Sequence, residues 1–132
     1  MTLSQTIIYT IVIMQISNEN NKAKEKIIMA ILHINENNFN NEVLESSKPV
    51  LLDFFATWCG PCKMLGQVLE QLDAETQDFK IVKVDIDENP ELTRQWNVTT
   101  VPSIFFIKDG QVKDSAIGFL PKPVIEQKMK TL

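Results

Sequence analysis

The chain has 132 residues, two cysteines, one histidine and a formal net charge of −4. This length suits one domain with its own core, and a composition of 44% hydrophobic and 23% charged residues argues against wholesale disorder. The acidic balance counts against a nucleic-acid binder, which needs a basic face. No stretch reaches the roughly 20 apolar residues of a membrane-spanning helix. Two cysteines and one histidine supply neither a framework of several disulfides nor the four ligands of a structural zinc site.

Residues 1–28 differ in pattern from the rest of the chain. An apolar run over 7–16 is followed by a polar stretch over 17–26. A signal peptide fits poorly, because the first ten residues contain no Lys or Arg and no small-x-small cleavage site follows the apolar run. The alternatives are a disordered or loosely docked tail and a mis-assigned start, with translation beginning at Met29. We therefore interpret 1–28 as an N-terminal extension and 29–132 as the folded domain.

From residue 30 onward, continuous apolar runs typical of strands alternate with apolar residues at helical spacing. The run from Val50 to Ala56 predicts a strand that is covered on both faces. Lys48-Pro49 ends the helix before it. The predicted elements are strand 30–34, helix 35–47, strand 50–56, helix 61–76, strand 80–86, a short helix 89–95, strand 103–107, strand 111–117 and helix 121–132.

The order of these elements predicts an α/β fold. Strand–helix–strand units pair their strands in parallel through right-handed crossovers, whereas Asp109-Gly110 predicts a two-residue hairpin with antiparallel strands. The five predicted strands therefore form a central mixed sheet with helices on both faces.

Cys59 and Cys62 are the chemical centre of the sequence. Pro61 suits the first turn of a helix, which places Cys59 at the helix N-terminus, where free N–H groups and the helix dipole stabilise a thiolate. Cys62 lies on the same face within disulfide reach. We expect an exposed Cys59 to attack a substrate disulfide and a more interior Cys62 to resolve the mixed disulfide.

Other interpretations of the cysteine pair are weaker. Half of a zinc site would need a second pair of ligands, and His33 stands alone in the first predicted strand, where a packing or edge role is expected. A permanent structural disulfide would close a very short loop and gain little chain entropy. We expect no bound metal.

Asp53 and Lys83 are charged residues inside apolar strands. A buried carboxylate needs a partner or a chemical task, and the two strands are expected to be neighbours. This predicts a partly buried Asp53–Lys83 pair beneath the cysteines. Burial should raise the pKa of Asp53 and Lys83 should oppose that change, so that Asp53 could shuttle the proton of Cys62. A plain structural ion pair is the alternative.

Five features of the sequence, taken together, are specific to one family: VLLDFFATWCGPCK at 50–63, VDIDENP at 84–90, VPS at 101–103, KDG at 108–110, and Gly118. Through them the region 29–132 resembles the thioredoxin family along nearly its whole length. Pro102 before a strand costs no ladder hydrogen bond, and the resemblance implies a cis Val101–Pro102 bond. Phe55 departs from the family, in which a second Trp is frequent, and Ser103 stands where Thr is frequent.

The resemblance implies a thioredoxin fold and a protein-disulfide reductase that maintains cell redox homeostasis. Cys59 matches the nucleophile, Cys62 the resolving cysteine, Asp53 the buried acid and Lys83 its partner. Pro102 matches the proline that faces the disulfide. The surface that receives substrate proteins matches Trp58, Gly60, Pro61, Val101 and Gly118.

The family also implies a cytoplasmic monomer without a bound cofactor, re-reduced by thioredoxin reductase with electrons from NADPH or ferredoxin, and acting on disulfide-containing client proteins. Two alternatives stay open. One is a thiol oxidant or isomerase of an exported compartment, against which the Gly-Pro dipeptide and the absence of a convincing signal both count. The other is a non-catalytic binding module that uses the same surface.

Overall fold

The structure is a computed structural model that describes residues 31–132 and, before them, positions 5, 7, 8 and 10, which are helical. The extension predicted for 1–28 therefore lies largely outside the described residues. Residues 31–132 form one compact unit. Its elements are β1 (Ile31–His33), a π turn (Asn40–Leu44), β2 (Val50–Phe55), α1 (Gly60–Glu75), β3 (Lys80–Asp85), α2 (Pro90–Gln95), β4 (Ser103–Lys108), β5 (Gln111–Ile117) and α3 (Lys122–Lys130).

The five strands form one mixed sheet in the order β1-β3-β2-β4-β5. β3 pairs in parallel with both β1 and β2, whereas β4 pairs antiparallel with β2 and β5. The predicted mixed sheet is thus confirmed, as is the adjacency of the strands that carry Asp53 and Lys83. These two residues are register partners.

Each face of the sheet carries its own buried cluster. Alternating side chains of a strand point to opposite faces, so Leu51 and Leu52 enter different clusters. The cluster on one face includes Leu52, Phe54, Val82 and Leu92, and the other includes Leu51, Leu65, Leu69, Ile104, Phe106 and Ile125.

The helix predicted over 35–47 is present only in part, as the short π-helix Asn40–Leu44. Side chains compete for the backbone here. Asn38 accepts a hydrogen bond from the N–H of Asn35, and the side chain of Asn35 accepts one from the N–H of Asn37. Such local hydrogen bonds offer the backbone an alternative to helix. The helical spacing of apolar residues therefore overestimated the length of the helix in this segment.

The Asp109-Gly110 hairpin allows a test of the fold by substitution. Both residues have positive φ, 52° and 74°, and a Cβ at Gly110 would lie 2.8 Å from the carbonyl oxygen of Leu44. We expect Gly110→Ala to lower the free energy of unfolding by about 1–3 kcal/mol, measured by urea denaturation. The control is Gly66→Ala in the middle of α1, which should add about 0.5–1 kcal/mol. Equal effects of the two substitutions would contradict the strain argument.

Candidate active site

Cys59 and Cys62 form a disulfide at the start of α1, with their Cα atoms 5.2 Å apart. Cys59 is the N-cap residue, and its sulfur accepts a hydrogen bond of 3.2 Å from the backbone N–H of Cys62. Pro61 occupies the first turn, where its missing N–H costs no helical hydrogen bond. The free N–H groups of the helix therefore point at the sulfur that would carry negative charge after reduction.

Both sulfur-bearing residues are buried in the disulfide form. Cys59 is 6% exposed and Cys62 is 3% exposed, so Cys59 is the more accessible of the two, although it is less exposed than the sequence led us to expect. The reason is local packing, because the pair clusters with Ala56 and has Phe55 and Val101 against it.

Trp58 is the exposed neighbour of the pair. Its side chain is 69% exposed, and its indole N–H donates a 2.9 Å hydrogen bond to the carboxylate of Asp87. Asp87 was not singled out as a functional residue from sequence, although it lies in the VDIDENP segment. Gly60 and Pro61 are also exposed at the start of α1, which leaves a flat surface beside the disulfide.

The loop before β4 lies against the cysteine pair. The Val101–Pro102 bond is cis, as the resemblance implies, and the carbonyl oxygen of Val101 lies 3.7 Å from the Cys59 sulfur. Gly118 joins this group because its N–H donates a 2.8 Å hydrogen bond to the carbonyl of Pro102. Its φ of 92° requires glycine. The structure thus brings these three predicted residues together with Cys59.

Asp53 is fully buried at 0% exposure. It alternates with Phe54 along β2, which places it on the sheet face that α1 covers. Burial raises the pKa of its carboxyl from 3.8 to about 7, and the positive charge of Lys83 acts in the opposite direction. A carboxyl with this pKa can hold or release a proton near neutral pH.

The expected Asp53–Lys83 ion pair needs correction. The two residues are register partners, but neither carboxylate oxygen of Asp53 has a hydrogen-bond partner among the residues that the structure describes. The Lys83 ammonium instead lies over the ring of Phe55, 4.4 Å from its centroid. Within the described residues Lys83 therefore acts on the Asp53 carboxyl through space and not through a hydrogen bond.

His33 occupies the exposed edge strand, as the packing or edge interpretation predicts. Its ring meets Phe55 edge to face at 5.6 Å. Burial and then the charge of Lys83 lower the pKa of the imidazole, while Glu88 and Asp85 oppose that change. Across the described part of the chain, no group of His, Cys, Asp and Glu side chains could hold a metal ion. No helix in the same part is long and apolar enough to cross a membrane.

A cysteine pair at a helix N-terminus, with a cis-proline loop beside it and a buried acid on the adjoining strand, defines a thiol–disulfide oxidoreductase. A family model described as "Thioredoxin" matches residues 30–131. The chain is 44% identical over 100 residues to a thioredoxin of Bacillus subtilis (strain 168), covering 75% of this chain and 94% of the relative. It is 44% identical over 95 residues to one of Chlorobaculum thiosulfatiphilum, covering 71% and 88%. For a thioredoxin of Haemophilus influenzae (strain ATCC 51907 / DSM 11121 / KW20 / Rd) the identity is 45% over 93 residues, covering 70% and 87%.

The chain therefore belongs to the thioredoxin family. The expected thioredoxin fold and the thiol–disulfide reductase function are thereby confirmed, with the Cys59–Cys62 pair as the redox-active disulfide. Members of this family generally work with thioredoxin reductase and with disulfide-containing clients.

Proposed function

We propose that Cys59 is the nucleophile and Cys62 the resolving cysteine of a general protein-disulfide reductase. The Cys59 thiolate attacks one sulfur of a client disulfide and expels the other as a thiolate. The Cys62 thiolate then attacks the Cys59 sulfur, which releases the second client thiol and forms the Cys59–Cys62 disulfide. Two electrons pass to the client. The hydrogen bond from the Cys62 N–H to the Cys59 sulfur is the observation that carries this assignment.

Asp53 takes the proton that Cys62 loses when it becomes a nucleophile. With a pKa of about 7, its carboxylate is available as a base near neutral pH, and its burial on the α1 side of β2 keeps bulk water from competing. Lys83 stabilises the charged form of Asp53 through space. Both residues thus act on the proton of the reaction rather than on the client.

This role predicts a pH-dependent defect in Asp53→Asn. Resolution of the mixed disulfide should slow on the order of 100-fold near pH 8, because a general base is lost. The rise in wild-type rate as the pH passes about 7 should also disappear, since the amide has no proton to exchange. Stopped-flow measurement of resolution between pH 5 and about 9 tests this. Normal thiol-exchange rates across that pH range would refute the proton role.

Clients bind on the surface formed by Trp58, Gly60, Pro61, Val101 and Gly118. The backbone of Val101 pairs with an extended client segment in a short β-augmentation. Pro102 holds the loop beside the disulfide and offers no N–H, so it presents an apolar edge next to the sulfur atoms. The Trp58–Asp87 hydrogen bond fixes the indole at the edge of this surface.

The domain over 29–132 acts as a cytoplasmic monomer and is re-reduced by a flavin- and NADPH-dependent thioredoxin reductase. A ferredoxin-dependent reductase is the alternative electron source. The curated relatives that support this placement are thioredoxins matched over most of their length. The extension 1–28 takes no part in the chemistry. Mass spectrometry of the native protein tests the boundary, since a peptide from 1–28 would exclude a start at Met29.

The reduction potential separates a reductase from an oxidant. A value near −270 mV, the reference value for thioredoxin, is expected in equilibrium with glutathione. A value near −120 mV, typical of strong thiol oxidants, would overturn the reductase direction. The non-catalytic alternative is tested separately: a Cys59→Ser, Cys62→Ser variant that keeps full biological function would favour a binding module.

A further inference from the structure

Lys83 has carboxylates on more than one side. Its ammonium lies over the ring of Phe55, and the residue is the register partner of Asp53. Lys83 also lines an open pocket of about 200 Å³ together with Asp85 and Glu88. Because a lysine side chain is long and flexible, the groups that contact the ammonium decide which carboxylate is closest to its charge.

Phe55 forms an aromatic contact with the Lys83 ammonium. Its ring centroid is 4.4 Å from the ammonium, within the range of a cation–π contact. Phe55 also packs against the cluster that contains Cys59 and Cys62, so it contacts both the cation and the surroundings of the redox pair. The aromatic side chain thus links the position of Lys83 to the active site.

Gly66 of α1 and His33 of β1 are the neighbours of this contact. A Cβ at Gly66 would lie 3.6 Å from the Lys83 ammonium, an ordinary van der Waals distance, so α1 packs closely beside the cation. On the other side, the imidazole of His33 meets the Phe55 ring edge to face. Burial and the charge of Lys83 lower the pKa of this imidazole, which disfavours a second positive charge beside the ammonium.

We propose that the ring of Phe55, with His33 against its edge, holds the Lys83 ammonium near Asp53 and away from Asp85 and Glu88. Phe55 is thus a positioning residue for the proton step. The inference deepens the proposed function and rests on its assignment of Asp53. The titratable groups that face the ammonium are the carboxyl of Asp53 from β2, the imidazole of His33 from β1, and the carboxyls of Asp85 and Glu88 from the end of β3 and the following loop.

The test is a titration of the Asp53 carboxyl by NMR in the full-length oxidised protein. Without the ring, the Lys83 ammonium moves toward Asp85 and Glu88 and stabilises the Asp53 carboxylate less. Phe55→Leu should therefore raise the pKa of Asp53 by about half a unit, a roughly threefold change in the dissociation constant. Phe55→Trp should keep the wild-type value, because indole also binds cations. Phe79→Leu, which removes a similarly half-buried phenyl ring of the same sheet face, is the matched control and should cause no shift.

The same substitution in a Lys83→Met background isolates the cation. There Phe55→Leu should leave the Asp53 pKa unchanged, since no ammonium remains to move. An equal shift in both backgrounds, or none in either, would overturn the proposal. If a variant does not fold, a measurement on the wild type still tests the proposal. The ring current of Phe55 should shift the Lys83 Hε protons upfield, and unshifted resonances would also overturn the proposal.

Rates measured on the same variants separate this inference from the proposed function. If Phe55→Leu shifts the Asp53 pKa while resolution of the mixed disulfide keeps its pH profile, the positioning of Lys83 by Phe55 is supported and the proton role of Asp53 is refuted. If Phe55→Leu does not shift the Asp53 pKa, the positioning role of Phe55 is refuted whatever the rates of resolution are.

Discussion

Replacing Cys62 with serine is expected to trap the protein on its clients as a stable mixed disulfide through Cys59. The serine hydroxyl cannot attack the Cys59 sulfur, so the second displacement stops while the first proceeds. Replacing Cys59 with serine should remove the first displacement as well. Each variant should lower the rate of disulfide reduction on the order of 1000-fold or more, because both substitutions remove a nucleophile.

The measurement is non-reducing electrophoresis and mass spectrometry after each variant is mixed with a disulfide-containing client. Cys62→Ser should give a client adduct that dithiothreitol releases, and Cys59→Ser should give none. An adduct formed by Cys59→Ser through Cys62 at a comparable rate would contradict the assigned roles. Thr57→Ser, next to Trp58 and outside the redox pair, is a suitable control and should behave as wild type.

The second large effect is a gain in stability from Asp53→Asn that grows with pH. Below the unfolded-state pKa of 3.8, both folded and unfolded chains hold the proton, and the carboxyl costs nothing. As the pH rises toward about 7, the unfolded chain releases the proton while the folded chain retains it, so wild-type stability falls and then levels off. The variant lacks this loss and should gain up to roughly 4 kcal/mol over wild type between pH 4 and about 8.

Urea denaturation of the oxidised proteins at several pH values measures this difference. Asp114→Asn provides the control with opposite sign, because a hydrogen bond from Lys128 lowers the pKa of that exposed carboxyl and its removal should not stabilise the protein at neutral pH. A stability difference between Asp53→Asn and wild type that is flat with pH would show that burial does not perturb Asp53.

Most of the sheet was predictable from the sequence because β2 and β4 have short, strongly apolar runs, and the turn at Asp109-Gly110 indicates the more polar β5. The run at 50–56 is covered on both faces as expected, and positive φ at Asp109 and Gly110 gives the predicted hairpin. The helix predicted over 35–47 is shorter in the structure because asparagine side chains satisfy the backbone at 35–38, an effect that the spacing of apolar residues does not show.

The site was predictable where chemistry depends on neighbours in sequence and less so where it depends on side-chain direction. The spacing of Cys59 and Cys62 fixes their disulfide and the helix N-terminus. The contact of the Lys83 ammonium with the ring of Phe55, two residues beyond Asp53, was in contrast not predicted, because it depends on side-chain direction. The Trp58–Asp87 hydrogen bond likewise joins residues 29 positions apart.

The most direct test of the reductase assignment is NADPH consumption in a mixture of this protein, a thioredoxin reductase and insulin. Wild type should sustain NADPH oxidation that depends on insulin and on the concentration of the protein, and Cys59→Ser should fall to the rate seen without it. Wild-type activity no higher than that of Cys59→Ser, from protein shown to be folded and reducible by dithiothreitol, would contradict the account.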